Sequence, residues 1–224
     1  MSIRYNGKNL TQLLDLVIAA KEIPSPTRKE ITETVPYMSG EWDFSFLDGV
    51  DEYETLTLKY NFDIIADTKR ELNALRKQAI NLFNSRGDQK FYDTDISDTA
   101  YFKVYRVQTG WSEEGLQGLL TVEIKCYPFM IKDISKTITA SSSAQEITVL
   151  DGDDYRPSKI SLIVNGSVTV KHLEHNNSYA VAGSYGLSTG TYNEALTLKA
   201  YDKLSITGSG SVTIKAAAEA ISFD

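Results

Sequence analysis

From Glu54 to Ile64 the chain alternates without a break. Leu56, Leu58, Tyr60, Phe62 and Ile64 fall on one side, and Thr55, Thr57, Lys59, Asn61 and Asp63 on the other. A period of two over this length predicts a strand with one buried face. The next segment, DTKRELNALRKQAINLFNSRG (67–87), changes period: Leu72, Leu75, Ala79 and Leu82 recur at helical spacing. Thr68 followed three residues later by Glu71 is a capping box, and Gly87 can end the helix. The expectation is a helix of about four turns packed on a sheet. YFKVYRV (101–107) and LLTVEIKC (119–126) alternate again, and QTGWSEEGLQG between them is expected to form the long loop of a hairpin. Two shorter strands are expected in ITETV (31–35) and EWDFSFLDG (41–49), around the turn YMSG.

Beyond residue 135 no helical period appears. SLIVNGSVTVK (161–171) places Asn165-Gly166 between two alternating runs, the strongest short-range signal for a hairpin. KLSITGSGSVTIK (203–215) repeats the pattern with a longer turn at 208–211, and GSYG (183–186) also reads as a turn. Short strands with turns roughly every ten residues suggest an antiparallel sandwich or jelly roll. Composition marks the same division. The first 134 residues hold 16 Lys+Arg and 21 Asp+Glu, the last 90 only 7 and 9, and 30 of those 90 are Ser, Thr or Gly. The chain is therefore expected to be mainly β in two domains. Residues 1–132 form an α+β lobe, a β-sheet or barrel-like domain with one packed helix. Residues 137–224 form the antiparallel β-sandwich, and the junction between the two, at about residues 128–140, ends in the soft ASSSAQ (140–145). LTVEIKCYPFM (120–130) begins as a strand and runs into Pro128, which has no N–H to give a ladder. The strand is expected to stop or lie at an edge there, with Tyr127 and Phe129 finishing the core at the domain junction.

Charge and chemistry narrow the function. A net charge of −7 and a pI near 5.0 speak against a surface that holds nucleic acid by its phosphates, and against a polybasic membrane contact. Cys126 is the only cysteine, so neither an internal disulfide nor a thiolate metal cluster can form. MSIRYNGKNLTQLL lacks the layout of a signal peptide, and the early apolar run LLDLVIAA is too short to span a bilayer, so folding in a cytoplasm is expected. His172 and His175, in KHLEH, do not make an HExxH motif. Three residues apart on a strand they point to opposite faces, as surface side chains more than metal ligands. DTDISD (93–98) and DGDD (151–154) carry paired carboxylates that suit calcium, but they lack EF-hand spacing and acidic residues also favour turns. No GxSxG elbow places a nucleophile. Trp42, Trp111 and the 13 tyrosines include candidates for a sugar-stacking platform, although aromatics more often serve a core or an interface. No residue set points to catalysis, a cofactor or a metal.

In their order along the chain, several segments of residues 3–132 resemble the distal tail protein family of long-tailed phages infecting Gram-positive bacteria. IRYNGKNL is similar to the opening strand and turn. ITETVPYMSGEWDFS resembles a Val-Pro-Gly-x-x-Gly segment before an Asp-aromatic strand. YETLTLKYNFDI leads into a helix ending INLFNSRGDQKFYDTD, similar to the family's helix, glycine and Leu-x-Phe-x-Asp-like strand, and KCYPF resembles its aromatic-Pro-aromatic ending. Tyr37 and Met38 depart from the pattern, standing where the family often has glycine and a basic residue.

The resemblance implies a structural part and no enzyme. Six copies would form a ring at the tail tip, joining the tail tube to the adhesion machinery around a channel for DNA. A galectin-like C-terminal sandwich would project outward. Implied partners are the tail tube protein, a tail-associated hub protein and a receptor-binding protein. DNA would pass without specific binding and no membrane would be contacted. The location would be the virion tail tip, after assembly in the host cytoplasm. Trp111 beside Glu113 and Glu114, on the expected loop tip, is the candidate contact to a neighbouring subunit; the alternative is a ring that folds back onto its own core. The competing functions are a carbohydrate-binding protein acting through the sandwich, and a tail-tube or other ring protein.

Overall fold

The computed structural model describes residues 2–13, 16–34, 36–37, 39–43, 45, 52–84, 87, 89–152, 155–176 and 178–220. The chain forms two compact units, Met1–Pro128 and Phe129–Asp224.

In the first unit, Ile3–Tyr5 (β1) turns through Asn6 and Gly7 into Lys8–Asn9 (β2). Both turn residues have positive φ, 52° and 70°, which Asn-Gly accepts at low cost. A single helical turn, Leu10–Leu13 (α1), follows, and the Asn9 carboxamide oxygen accepts bonds from the Thr11 hydroxyl and the Gln12 N–H. Val17–Glu22 (β3) is a strand the periodicity did not flag, because it is exposed on both faces. Thr32–Glu33 (β4) pairs with Trp42–Asp43 (β5), within the expected segments; residues 35, 38, 44 and 46–49 of those segments lie outside the described residues. Tyr37, in the turn between them, has φ 69°, a conformation that glycine takes at least cost.

Leu56–Ile65 (β6) keeps the expected alternation, with Leu56, Leu58, Tyr60, Phe62 and Ile64 all buried. The expected helix is Lys69–Asn84 (α2). The Thr68 hydroxyl accepts the Glu71 N–H at 3.2 Å, and the Glu71 carboxylate accepts the Asp67 N–H at 3.1 Å, so the capping box closes one residue wider than drawn. Leu72, Ala79, Leu82 and Phe83 are buried beneath it. Lys90–Asp93 (β7), Ala100–Glu114 (β8) and the first part, up to Pro128, of Gln117–Ala140 (β9) complete the unit. The long hairpin loop expected at 108–118 is not there: β8 and β9 run on and turn at Gly115-Leu116 alone, with Gly115 at φ 60°. Polar residues in an exposed strand extension carry no apolar alternation, so periodicity could not flag them.

The sheet order is β3-β6-β9-β8-β7-β1-β2. Two strands separate β6 from β7, yet the Tyr60 hydroxyl donates to Asp93 Oδ2 at 2.8 Å and the two strands' Tyr60 and Phe91 rings lie 5.2 Å apart. Lys21 of the edge strand β3 reaches the same oxygen at 3.2 Å. The sheet therefore rolls onto itself, barrel-like, around Tyr60, Phe62, Phe91 and Phe102, and Phe83 of α2 packs against Tyr5 and Phe62. Asp93 is fully buried, and its carboxylate is satisfied by the Tyr60 hydroxyl, the Lys21 ammonium and the Asp95 N–H. Burial and the neighbouring Asp93 charge push the Tyr60 phenol far above its ordinary pKa.

Of the two outcomes expected at Pro128, a strand end or an edge position, the strand end does not occur. β9 continues from Gln117 to Ala140, and Pro128 falls in the gap between its ladder with β6, ending at Cys126, and its later ladder, beginning at Met130. A missing N–H costs no bond of either ladder there.

In the second unit the two expected hairpins are also absent. Gln145–Thr148 (β10) precedes Ser158–Asn176 (β11), which runs straight through Asn165-Gly166. Ser178–Leu187 (β12) includes GSYG, Gly190–Leu198 (β13) follows, and Lys203–Ala220 (β14) runs straight through 208–211. The reason lies in the pairing. β11 and β14 match each other from Ile160↔Ala216 to Leu173↔Lys203, placing Gly166 opposite Gly210 and Val168 opposite Gly208. These glycines have φ of 118°, 115° and 127°, and a Cβ on any of them would collide with the partner backbone. The outer partners change at this point. β11 pairs with β13 up to Val164 and with β12 from Val168; β14 pairs with β10 up to Ile206 and with β9 from Gly210. Thr189, in the β12–β13 link, uses its hydroxyl to accept the Gly166 N–H at 2.9 Å, and Gly208 N–H donates to the Ser141 carbonyl at 2.9 Å. The glycines thus form a corner at which two long strands bend together. The inward residues Ile160, Leu162, Val164, Val168, Val170, Leu204, Ile206, Val212 and Ile214 then meet in one core, a two-layered antiparallel sandwich.

Gly210→Ala is expected to destabilise the second unit by roughly 2–4 kcal/mol in urea unfolding, through forced φ and a clash with the Asn165 carbonyl. Gly186→Ala, with no atom within 4 Å of the added carbon, should change stability by no more than about 0.5 kcal/mol. Residues 133–140 belong to a paired strand, so limited proteolysis is expected to cut only within 141–144, and the nicked chain should stay together until denaturant is added.

Candidate subunit interface

Trp111 stands in strand β8 and not on a loop tip, and it is half-buried. Its ring lies over Gly118 of β9, so closely that a Cβ at Gly118 would overlap it. The indole Nε1 donates to Glu113 Oε2 at 3.3 Å, and the Arg76 guanidinium of α2 sits 5.6 Å from the ring centroid. Glu113 Oε1 accepts from Lys69 Nζ at 3.2 Å. Lys69 and Arg76 are seven residues apart on one face of α2, so the hairpin end and the helix share one network of charge and aromatic face. The Lys69 hydrogen bond, then that of Trp111, hold the Glu113 carboxyl below its ordinary pKa. Glu114 is exposed. A cleft of about 370 Å³ lies alongside, lined by Asp63, Ser112, Glu113, Glu114, Gln117 and Leu119. Sequence reasoning found Trp111, Glu113 and Glu114 but missed Lys69, Arg76 and Gly118. The one available signal was the seven-residue spacing of the two basic residues.

Of the junction residues, Pro128 and Phe129 are buried and Tyr127 is half-buried. The Arg156 guanidinium lies 4.4 Å from the Phe129 ring centroid. Burial pushes the Cys126 thiol up to about 12, and it is held against the Leu56 carbonyl, which leaves it an inert core group.

The other candidates have protein partners. In DTDISD, Asp93 is bonded to Tyr60, Lys21 and the Asp95 N–H, and Asp95 takes Lys21 at 3.0 Å. Of DGDD, residues 153–154 lie outside the described residues. His172 is not a plain surface side chain: its Nε2 lies 2.8 Å from Asp202 Oδ2, and Asp202 is buried. Asp202 also accepts the backbone N–H of His175, at 2.9 Å, so both histidines meet it, one through its ring and one through its main chain. The His175 ring packs between Tyr179 and Tyr201. Burial alone would raise the pKa of Asp202, but hydrogen bonds from His175, Lys199 and His172 outweigh it and lower it. Trp42 lies in β5, with its side chain outside the described residues. Among the described residues no group of three metal-ligating side chains assembles, and no helix is long and apolar enough to cross a membrane.

Together the rolled sheet with one packed helix and the following sandwich define a Dit-like, mainly β fold. It is shared with a solved structure, the Dit protein (gp 19.1) of phage SPP1, called a paradigm of the hub adsorption apparatus in Gram-positive-infecting phages. That likeness has a TM-score of 0.65 at 12% sequence identity and covers 97% of this chain and 98% of that one. The phage P2 baseplate in its activated conformation with calcium is similar at a TM-score of 0.49 and 8% identity, over 96% and 97% of the two chains. No protein-family model matches the sequence, and no curated protein does.

Because its folded pKa is lowered, Asp202 contributes stability above its ordinary pKa of 3.8 that is lost as pH falls through the lower folded value. Thermal melts between about pH 5 and pH 2 should show this acid-side loss. In Asp202→Asn the unit should be less stable throughout and the slope shallower.

Proposed function

We propose that this chain is the structural hub of a phage tail tip, a homo-hexameric ring that joins the tail tube to the host-adhesion apparatus. The observation that carries this reading is the likeness to the SPP1 hub protein over nearly the full length of both chains, both units included. In this reading the first unit forms the ring around the DNA channel, and the second faces the hub and receptor-binding proteins. A net charge of −7 suits a passage that must not retain phosphate. The protein works without catalysis, in the virion tail tip, after assembly in the host cytoplasm. Tyr127, Pro128 and Phe129 mark the junction between ring domain and sandwich.

The end of the β8–β9 hairpin, with Trp111, Glu113 and Glu114, is the proposed contact with the next copy. Trp111 stiffens the hairpin by lying across Gly118, and exposed Glu114 meets the neighbour. Negative-stain microscopy and mass photometry of the full chain at about 10 µM test the reading. Closed rings of six are expected for the wild type, and smaller species for Trp111→Ala and Glu114→Lys with unchanged circular dichroism. Stacked tubes would favour a tube protein. A wild type that stays monomeric even with tube ends added as template would sink the hub reading.

A further inference from the structure

The edge strand β12 is the part of the second unit that its own fold explains least. Ser178–Leu187 contains no charged residue and no proline. Among the described residues β11 is its only strand partner, which leaves a row of backbone N–H and C=O groups along its other edge. Native proteins guard such edges with charge, proline or bulges. β12 carries one such device, an extra residue at Ala182, where the register steps from His172↔Gly183 to Leu173↔Val181. Tyr179, Val181 and Tyr185 are instead 43%, 61% and 42% exposed along it.

A second feature lies beside this edge. β12 and β13 follow one another along the same edge of β11, one on each side of the glycine corner, so the sandwich has its mouth between them. A groove of about 280 Å³ opens there, with Tyr185 and Leu187 on one side and Tyr192 and Leu196 on the other. It reaches Leu162, a core residue only 1% exposed. The core thus comes to the surface beside the strand whose edge is guarded by that single bulge.

We propose that this mouth is a docking site for one extended, uncharged segment of a partner protein. The segment adds to β12 as a further strand and seats alternate apolar side chains in the groove. The row of free backbone groups selects the occupant's chemistry, because only another extended backbone repeats donors and acceptors at the strand's own spacing. β12 itself carries no charge over its 10 residues, and the charge beside it, Lys203, already sits 4.1 Å from the Tyr179 ring centroid, so the strand gives an acidic or basic segment no pair of its own. Pairing β12 with β12 of a second copy joins two edges and leaves the groove empty, whereas a donated strand also fills it. The inference goes beyond ring assembly and does not depend on it.

Random 10-residue peptides, the length of β12, panned by phage display against the full-length protein provide the test. Enriched peptides should be uncharged, with an apolar residue at every second position. Their binding should slow hydrogen exchange of the β12 amides and weaken at least about tenfold with Val181→Lys or Tyr185→Lys. Tyr105→Lys, at an exposed position of β8 in the first unit, should leave it unchanged. Absence of enrichment, or protection elsewhere, would overturn the proposal. Concentration-dependent protection of β12 without peptide would assign the edge to a second copy. Glycan-array binding abolished by Tyr185→Lys would assign the mouth to a saccharide.

Discussion

The close crossing of β11 and β14 at Gly166, Gly208 and Gly210 is the constraint on which the second unit rests. Two strands of 19 and 18 residues that paired flat would expose one apolar face along their whole length. Bending both at one level lets that face close on itself, and the bend requires backbones nearer than any side chain allows. Every outer strand then follows. β13 and β9 can pair only on one side of the corner, β12 and β10 only on the other, and Thr189 and Ser141 satisfy the backbone groups left between them.

Asp93 has the corresponding place in the first unit. It draws together Tyr60 of β6 and Lys21 of β3, strands that lie well away from its own β7 in the sheet order. A buried carboxylate without those partners would be intolerable, and the partners reach it only if the sheet rolls. The interior it closes over is aromatic, with Tyr5, Phe62, Phe83 and Phe91 in contact, and it supports the helix from which Lys69 and Arg76 reach the hairpin end. The proposed subunit contact is therefore set by the rolled sheet.

What the two units offer to other molecules differs in kind. The hairpin end of the first is charged, with Trp111 already committed to its own strand and helix. The mouth of the second is apolar and uncharged, beside an unpaired edge. The proposed ring contact and the proposed docking edge therefore differ in the partner chemistry they suit.

The amino-acid sequence by itself determined whatever is fixed within a few residues. The alternation of 56–64 marked a buried strand, Thr68 and Glu71 marked the start of α2, and Asn6-Gly7 turned as its φ preference demands. Net charge and the single cysteine set limits that hold whatever the fold. Tertiary pairing decided the rest. Asn165-Gly166 is the same dipeptide as Asn6-Gly7, yet it lies inside a strand, because β14 matches β11 on both sides of it and many ladder bonds outweigh one local turn preference. Pro128 signalled a strand end or an edge, yet the strand continues through it, at a point between its ladders with β6 and β14. Trp111 read as a loop-tip residue, whereas the hairpin continues past it and places it in a strand. Local chemistry proposes turns and ends, and only the partner strand, remote in sequence, decides whether the chain takes them.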